Sequence, residues 1–151
     1  PSKSSMKRLA EEKIHLQQFL ADKKGIRLHA DLQEDAEFNF DSNRMGQVVD
    51  NLLSNAVKYS PPDKEVFVKL VSDEKSTTLS VKDEGPGISP DEQGLLFQHF
   101  RKLSARPTGG ESSSGLGLAI AQRIVEEHQG SIGVDSQLGS GATFYFSIPT
   151  K

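Results

Sequence analysis

The chain has 151 residues, 34% hydrophobic and 26% charged, a balance that suits one folded domain with a core of its own and not a disordered segment. Its net charge of −3 gives no bulk basicity for holding nucleic acid, and with no cysteine there are no disulfides, thiolate metal sites or thiol nucleophiles. No apolar run approaches the roughly 20 residues that cross a bilayer, and the polar start Pro-Ser-Lys-Ser-Ser, without an initial Met, reads as the edge of a piece cut from something longer.

In chain order, residues 1–6 read as a flexible lead-in. From 7 to 24, Leu9, Ile14, Leu16, Phe19 and Leu20 alternate with charged residues as in an amphipathic helix, and Gly25 is its stop. Residues 26–30 and 38–40 read as strands. Asp41 or Ser42 then caps a second helix, which ends before Pro61-Pro62. Residues 66–71 and 77–81 form two strands around a polar turn. A break at 83–88 and a stretch of marginal pattern, partly helical over 91–103, follow. A third helix opens at Gly115, carries Leu118, Ile120, Ala121, Ile124 and Val125, and ends at Gly130. Strands over 131–135 and 142–148 close the chain. Helices interspersed with hairpins predict an α+β, two-layer sandwich: a mixed, mostly antiparallel sheet of about five strands with three helices on one face.

The second helix is the most informative. Met45, Val48, Val49, Leu52, Leu53, Ala56 and Val57 make one apolar arc. At about 100° per residue, Asn51, Asn55 and Lys58 fall within about 60° of one another along its border. Carboxamide oxygens suit a hard cation such as magnesium and a lysine suits phosphate, though the same pattern describes ordinary boundary polars. Asp83 stands at a strand end just before Gly85 and Gly87, where a carboxylate can accept from an exocyclic amino group and a flat ligand can approach the backbone; a tight turn has the same composition. The stretch from Ile88 to 114 exceeds the length of ordinary connections, so it reads either as a lid bearing Arg101, Lys102 and Arg106 or as a solvated loop. Gly115-Leu116-Gly117-Leu118 opens a helix whose free amides form an anion site, but it matches neither the P-loop nor the dinucleotide fingerprint. The four histidines, His15, His29, His99 and His128, are at no metal-ligand spacing.

Taken together and in order, these pieces resemble the catalytic ATP-binding domain of sensor histidine kinases, within the GHKL ATPase superfamily. Residues 51–60 resemble its N-box, 83–88 its first glycine box, 96–102 (more loosely) its F-box, 115–120 its second glycine box and 139–144 its closing hairpin. The resemblance covers about residues 7–150 and makes 88–114 an ATP lid. It implies Asn55 as magnesium ligand with Asn51 on the phosphate side, Lys58 on phosphate and Tyr59 against the nucleotide. It implies Asp83 as the reader of the adenine amino group, with Gly85 and Gly87 admitting the base. Gly115 and Gly117 supply amides to the phosphates, and Lys102 or Arg101 reaches the γ-phosphate. Ile88, Leu116, Leu118 and Thr143 complete the nucleotide-binding set.

The family phosphorylates a histidine followed by an acidic residue on a separate helical dimerisation domain. Here the four histidines precede Leu, Ala, Phe and Gln, so no acceptor is present. The resemblance thus implies a Mg-ATP-dependent histidine kinase domain of a two-component system. Its partners are the phosphoacceptor domain of its parent and a downstream response regulator. It implies a cytoplasmic location, under a parent that can carry a membrane anchor, and a monomeric isolated domain. One alternative is an ATP-hydrolysing clamp of the same superfamily, but where those branches carry a water-activating Glu this chain has Asn51, a poor general base. Another is a nucleotide-sensing module without turnover.

Overall fold

The computed structural model describes residues 2–33, 37–85, 116–136 and 141–150. Its elements are β1 (Ser2–Ser4), α1 (Met6–Asp22), β2 (Arg27–Leu32), β3 (Phe38–Phe40), α2 (Ser42–Tyr59), β4 (Glu65–Ser72), β5 (Ser76–Lys82), α3 (Leu116–Glu127), β6 (Ser131–Ser136) and β7 (Ala142–Pro149). Five strands form one mixed sheet in the order β2-β4-β5-β7-β6. Only β2 and β4 run parallel, because α2 carries the chain from one to the other as a crossover; the remaining pairs are antiparallel.

Strand alternation decides which face of the sheet is covered. Val66, Val68 and Leu70, then Leu79 and Val81, then Phe144, Phe146 and Ile148 are all buried, while Phe67, Val71 and Tyr145 between them are exposed. The helices therefore lie on one face, with α2 packed between α1 and α3. On the open face the Tyr145 ring crosses its cross-strand partner Gly133, so closely that a Cβ there would meet the phenolic oxygen at 2.7 Å. This is the two-layer α+β arrangement expected from the pattern.

Several local expectations change. Residues 2–6 are not a free lead-in: Ser2–Ser4 pair antiparallel with Phe38–Phe40, Ser5 caps α1 by accepting from the Arg8 amide at 3.2 Å, and Met6 is fully buried. Backbone pairing holds β1, and Ser-Lys-Ser carries no hydrophobic signal to announce it. In α1 the core stripe is Met6, Leu9, Ala10 and Ala21, whereas Leu16, Phe19 and Leu20 point outward at 55%, 70% and 50% exposure. Leu9 and Lys13 pack over Gly46 of α2, where a Cβ would meet Lys13 Cε at 3.1 Å and Leu9 Cδ1 at 3.6 Å. Gly25 ends α1 as expected, with φ +73° and the Ile26 amide bonded back to the Ala21 carbonyl at 3.0 Å. Gly130 serves otherwise. Gln129 takes the left-handed conformation (φ +59°) at the end of α3, and Gly130 lacks a side chain because a Cβ would meet the Ser147 carbonyl oxygen of β7 at 2.3 Å.

Candidate functional site

Helix α2 starts where Asp41 caps it, accepting from the Arg44 amide at 3.1 Å. Met45, Val48, Val49, Leu52, Leu53 and Ala56 are completely buried and Val57 nearly so. Burial of each large side chain stabilises by about 1.5–3 kcal/mol before entropy is counted, which fixes the rotation of the helix. That rotation leaves Asn51, Asn55 and Lys58 half-buried along its border. On the far border Asp50 pairs with Lys13 of α1 at 3.2 Å.

The start of α2 is bolted to the end of α3. The Asp41 amide donates to His128 Nε2 at 3.1 Å, and since Nε2 accepts, Nδ1 carries the proton and donates to the Ile124 carbonyl at 2.8 Å. Arg44 and Glu127 form an ion pair beside it. Helices α2 and α3 pack together and are joined start to end, so they run antiparallel. Going back from Glu127 to Leu116 covers about 16 Å at about 1.5 Å per residue, which brings the start of α3 level with the neighbourhood of Asn55 on α2. The opening turn of α3 and the carboxamide border of α2 therefore share one end of the helical layer. His128→Ala, which removes both bonds, is expected to lower unfolding stability by about 1–3 kcal/mol in a urea titration; a change under about 0.5 kcal/mol would mean that the bolt carries no net stability.

Asp83 reaches the same end from below. Continuing the parity of Thr77, Leu79 and Val81, its side chain faces the helices and is 2% exposed, while Lys82 faces out. Lys82 pairs with Phe67 near the start of β4, which follows α2 within a few residues, so the end of β5 lies under the end of α2. Asp83 Oδ1 accepts from the amides of Gly85 at 2.9 Å and Ala142 at 3.2 Å, and its own amide donates to the Ala142 carbonyl at 2.9 Å. Burial pushes the carboxyl up to about 6, against the opposing pull of those two amides. Gly141 makes this possible: it has φ +79°, and a Cβ on it would lie 2.1 Å from the Asp83 carbonyl oxygen.

Asn51, Asn55, Lys58, Asp83 and the buried Gly85 thus gather at one end of the fold with the α3 turn that holds Leu116, Gly117 and the buried Leu118. Thr143 does not join them. It alternates with buried Ala142 and Phe144 and stands on the open face between Lys82 and Asp135, its cross-strand neighbours, with the sheet between it and the helices. Gly87, Ile88, Arg101, Lys102, Gly115, the lid expected over 88–114 and the partial helix over 91–103 lie outside the described residues, and of Tyr59 only the backbone is described. Among the described residues no three His, Asp or Glu side chains group as a metal cage. Gly141 and Ala142 were not singled out as site residues from the sequence, although the Gly139-Ser140-Gly141 string reads there as a turn just before Ala142.

Residues 40–151 match the family model described as histidine kinase-, DNA gyrase B-, and HSP90-like ATPase. The sensor protein SrrB of Staphylococcus aureus is 38% identical over 129 residues, 85% of this chain and 22% of SrrB, so the chain spans under a quarter of that relative. The mycobacterial sensor histidine kinase MprB superposes with a TM-score of 0.85 at 28% identity, covering 99% of each chain. ShkA gives a TM-score of 0.85 at 30% identity over 98% of this chain and 30% of its own. With that match spanning most of its length, the chain belongs to the histidine kinase-, gyrase B- and HSP90-like ATPase family, as the catalytic ATP-binding domain of a sensor histidine kinase.

Proposed function

We propose that this domain binds Mg-ATP and donates the γ-phosphoryl group to a histidine on a separate dimerisation and phosphoacceptor domain of the same sensor kinase, which passes it to a response regulator. The observation that carries the reading is Asp83: a carboxylate 2% exposed, at the foot of a helix edged with carboxamides, with both of its bonds from described residues made to one oxygen, so that the other can meet an exocyclic amino group. Such a group costs stability when ionised and is retained where a ligand repays it. ShkA, solved in complex with AMPPNP, supports an adenine nucleotide, and the complex of ThkA with the response regulator TrrA supports the downstream partner.

Asp83 accepts from the adenine amino group, and Gly85 and Gly87 are the residues assigned to admit the ring. Asn51, Asn55 and Lys58 line the phosphates from α2, and the first amides of α3, at Leu116 and Gly117, face them from the other side. Asn55 offers a carboxamide oxygen suited to magnesium, an ion that keeps most of its ligands as water and phosphate. When bound, that ion neutralises charge on the β- and γ-phosphates. Arg101 and Lys102 are the cations assigned to the γ-phosphate. Thr143 is left out of the set on its position. The acceptor imidazole forms the new P–N bond and gives up its proton, the bond between the γ-phosphorus and the β–γ bridging oxygen breaks, and ADP leaves. No residue here stands in for the acceptor, so the domain works in trans on the helical domain and is a monomer by itself.

Single-turnover mixing of the chain with γ-labelled ATP and an added histidine-bearing dimerisation domain is expected to label that domain. No label, together with steady phosphate release by the chain alone, would overturn the kinase reading in favour of a hydrolysing clamp.

A further inference from the structure

The sequence after α2 creates a deficit. In a continuing helix the carbonyls of Val57 and Lys58 would accept from the amides four residues on, at positions 61 and 62, and both of these are proline, which has no N–H. The chain also turns away at Ser60, which is extended (φ −78°, ψ +134°) while its amide closes the last bond to Ala56. Neither proline can supply the helical amide to these two partly buried carbonyls. One side chain answers both: Lys24, at the end of α1, places Nζ 2.8 Å from the Val57 carbonyl oxygen and 3.0 Å from that of Lys58.

The corner is built to hold that ammonium. The Lys24 carbonyl accepts from the Asp63 amide at 3.1 Å, and the Arg27 amide donates to the Lys64 carbonyl at 3.2 Å. Gly25, at φ +73°, leaves space that Asp63 enters, since a Cβ there would lie 2.2 Å from Asp63 Oδ1. The backbone of Lys24 is therefore fastened to the segment that follows α2, and its side chain folds back onto the helix end. A cation at a helix C-terminus also opposes the negative end of the peptide dipoles. A cavity of about 610 Å³ opens beside it, lined by Leu20, Lys23, Lys24, Ser54, Val57 and Lys58 among others.

We infer that Lys24 is a positioning residue for nucleotide binding: by replacing the two amide donors that Pro61 and Pro62 lack, it holds the last turn of α2 wound and so sets the direction of Lys58 and the register of Asn55 toward the phosphates. The inference rests on the nucleotide reading above and deepens it. Its signature is selectivity within the ligand. The adenine contact at Asp83 belongs to β5 and β7, and the turn that Lys24 holds carries only phosphate-facing groups.

The test uses this chain with ATP and adenosine as probes. Lys24→Met is expected to weaken ATP binding about five- to twentyfold, as loss of two charge-assisted bonds at a helix end would. Adenosine affinity should be unchanged, and the Ser60 amide should exchange faster with solvent. Lys24→Arg, which can fork onto two carbonyls, should recover most of the ATP affinity, and Lys23→Met, one residue away on the exposed side, should change nothing. Equal losses for ATP and adenosine would reduce Lys24 to general stability, and unchanged ATP binding would remove the role altogether. Should the parent chain bind neither ligand, the nucleotide reading fails, and slow Ser60 exchange persisting in Lys24→Met would separately overturn the claim about the helix end.

Discussion

Adenosine should bind this domain with an affinity that is flat above about pH 7 and falls about tenfold per pH unit below about 6, and Asp83→Asn should abolish that slope. The acceptor for the adenine amino group is the carboxylate, and burial holds its proton up to about pH 6, so below that value binding must first expel the proton. Adenosine is the right probe because it has no phosphates to titrate over the same range. At neutral pH, Asp83→Ala should cost about 10- to 100-fold in adenosine and ATP affinity, the range for a hydrogen bond to a charged group, and should remove discrimination against GTP. Equal binding of ATP and GTP by the parent chain would sink the adenine assignment.

The same carboxyl makes an opposite prediction for the unliganded protein. Its folded-state value lies above the ordinary 3.8, so between 3.8 and about 6 the folded chain keeps a proton that the unfolded chain releases. The stability contributed by neutral Asp83 is complete below 3.8 and is lost as pH rises through about 6, amounting to about 3 kcal/mol. Acid therefore favours the fold at this residue while it opposes the ligand. Asp83→Asn should be the more stable protein at pH 7 in urea titrations, with the gap closing toward pH 4. A gap that widened toward acid would contradict the burial argument.

Gly141→Ala should have the largest effect of any change this small. A left-handed conformation costs a non-glycine residue about 1–2 kcal/mol, and the added Cβ would lie 2.1 Å from the Asp83 carbonyl oxygen and 3.3 Å from Glu84 Cα. Both obstacles are backbone, so relief means parting the ends of β5 and β7. The expected loss is about 3–5 kcal/mol of unfolding free energy in a urea titration, with adenosine binding failing as the Ala142 amide leaves Asp83. A Gly141→Ala protein within about 1 kcal/mol of the parent would show that the turn has slack.

Helix α2 was legible because a repeating core face is a local property: Leu52 and Leu53 are buried, so Asn51 and Asn55 on the neighbouring arc must sit at its border, whatever the rest of the chain does. Strand parity likewise made Asp83 an inward residue once Leu79 and Val81 were inward. The same rule read at Thr143 would have sent it to the open face, since Ala142 and Phe144 flank it. The family pattern places it with the nucleotide instead, and the strand register sets it across the sheet from the helices. Strand β1 and the outward Leu16, Phe19 and Leu20 escaped because they depend on what happens to lie opposite: another strand's free edge in one case, the close approach of α2 in the other.

Periodicity and composition thus determined the layer architecture, the chemistry along the α2 border and the carboxylate at the end of β5, since each follows from spacing along a single segment. Only tertiary structure decided that Ala142 and Gly85 share one oxygen of Asp83, that His128 binds the cap of α2, and that Lys24 serves two carbonyls orphaned by prolines 37 and 38 residues later. Hydrogen bonds between distant segments leave no period in the sequence. They exist because the packed helices and sheet bring donor and acceptor to the same point, and burial there leaves no water to take either place.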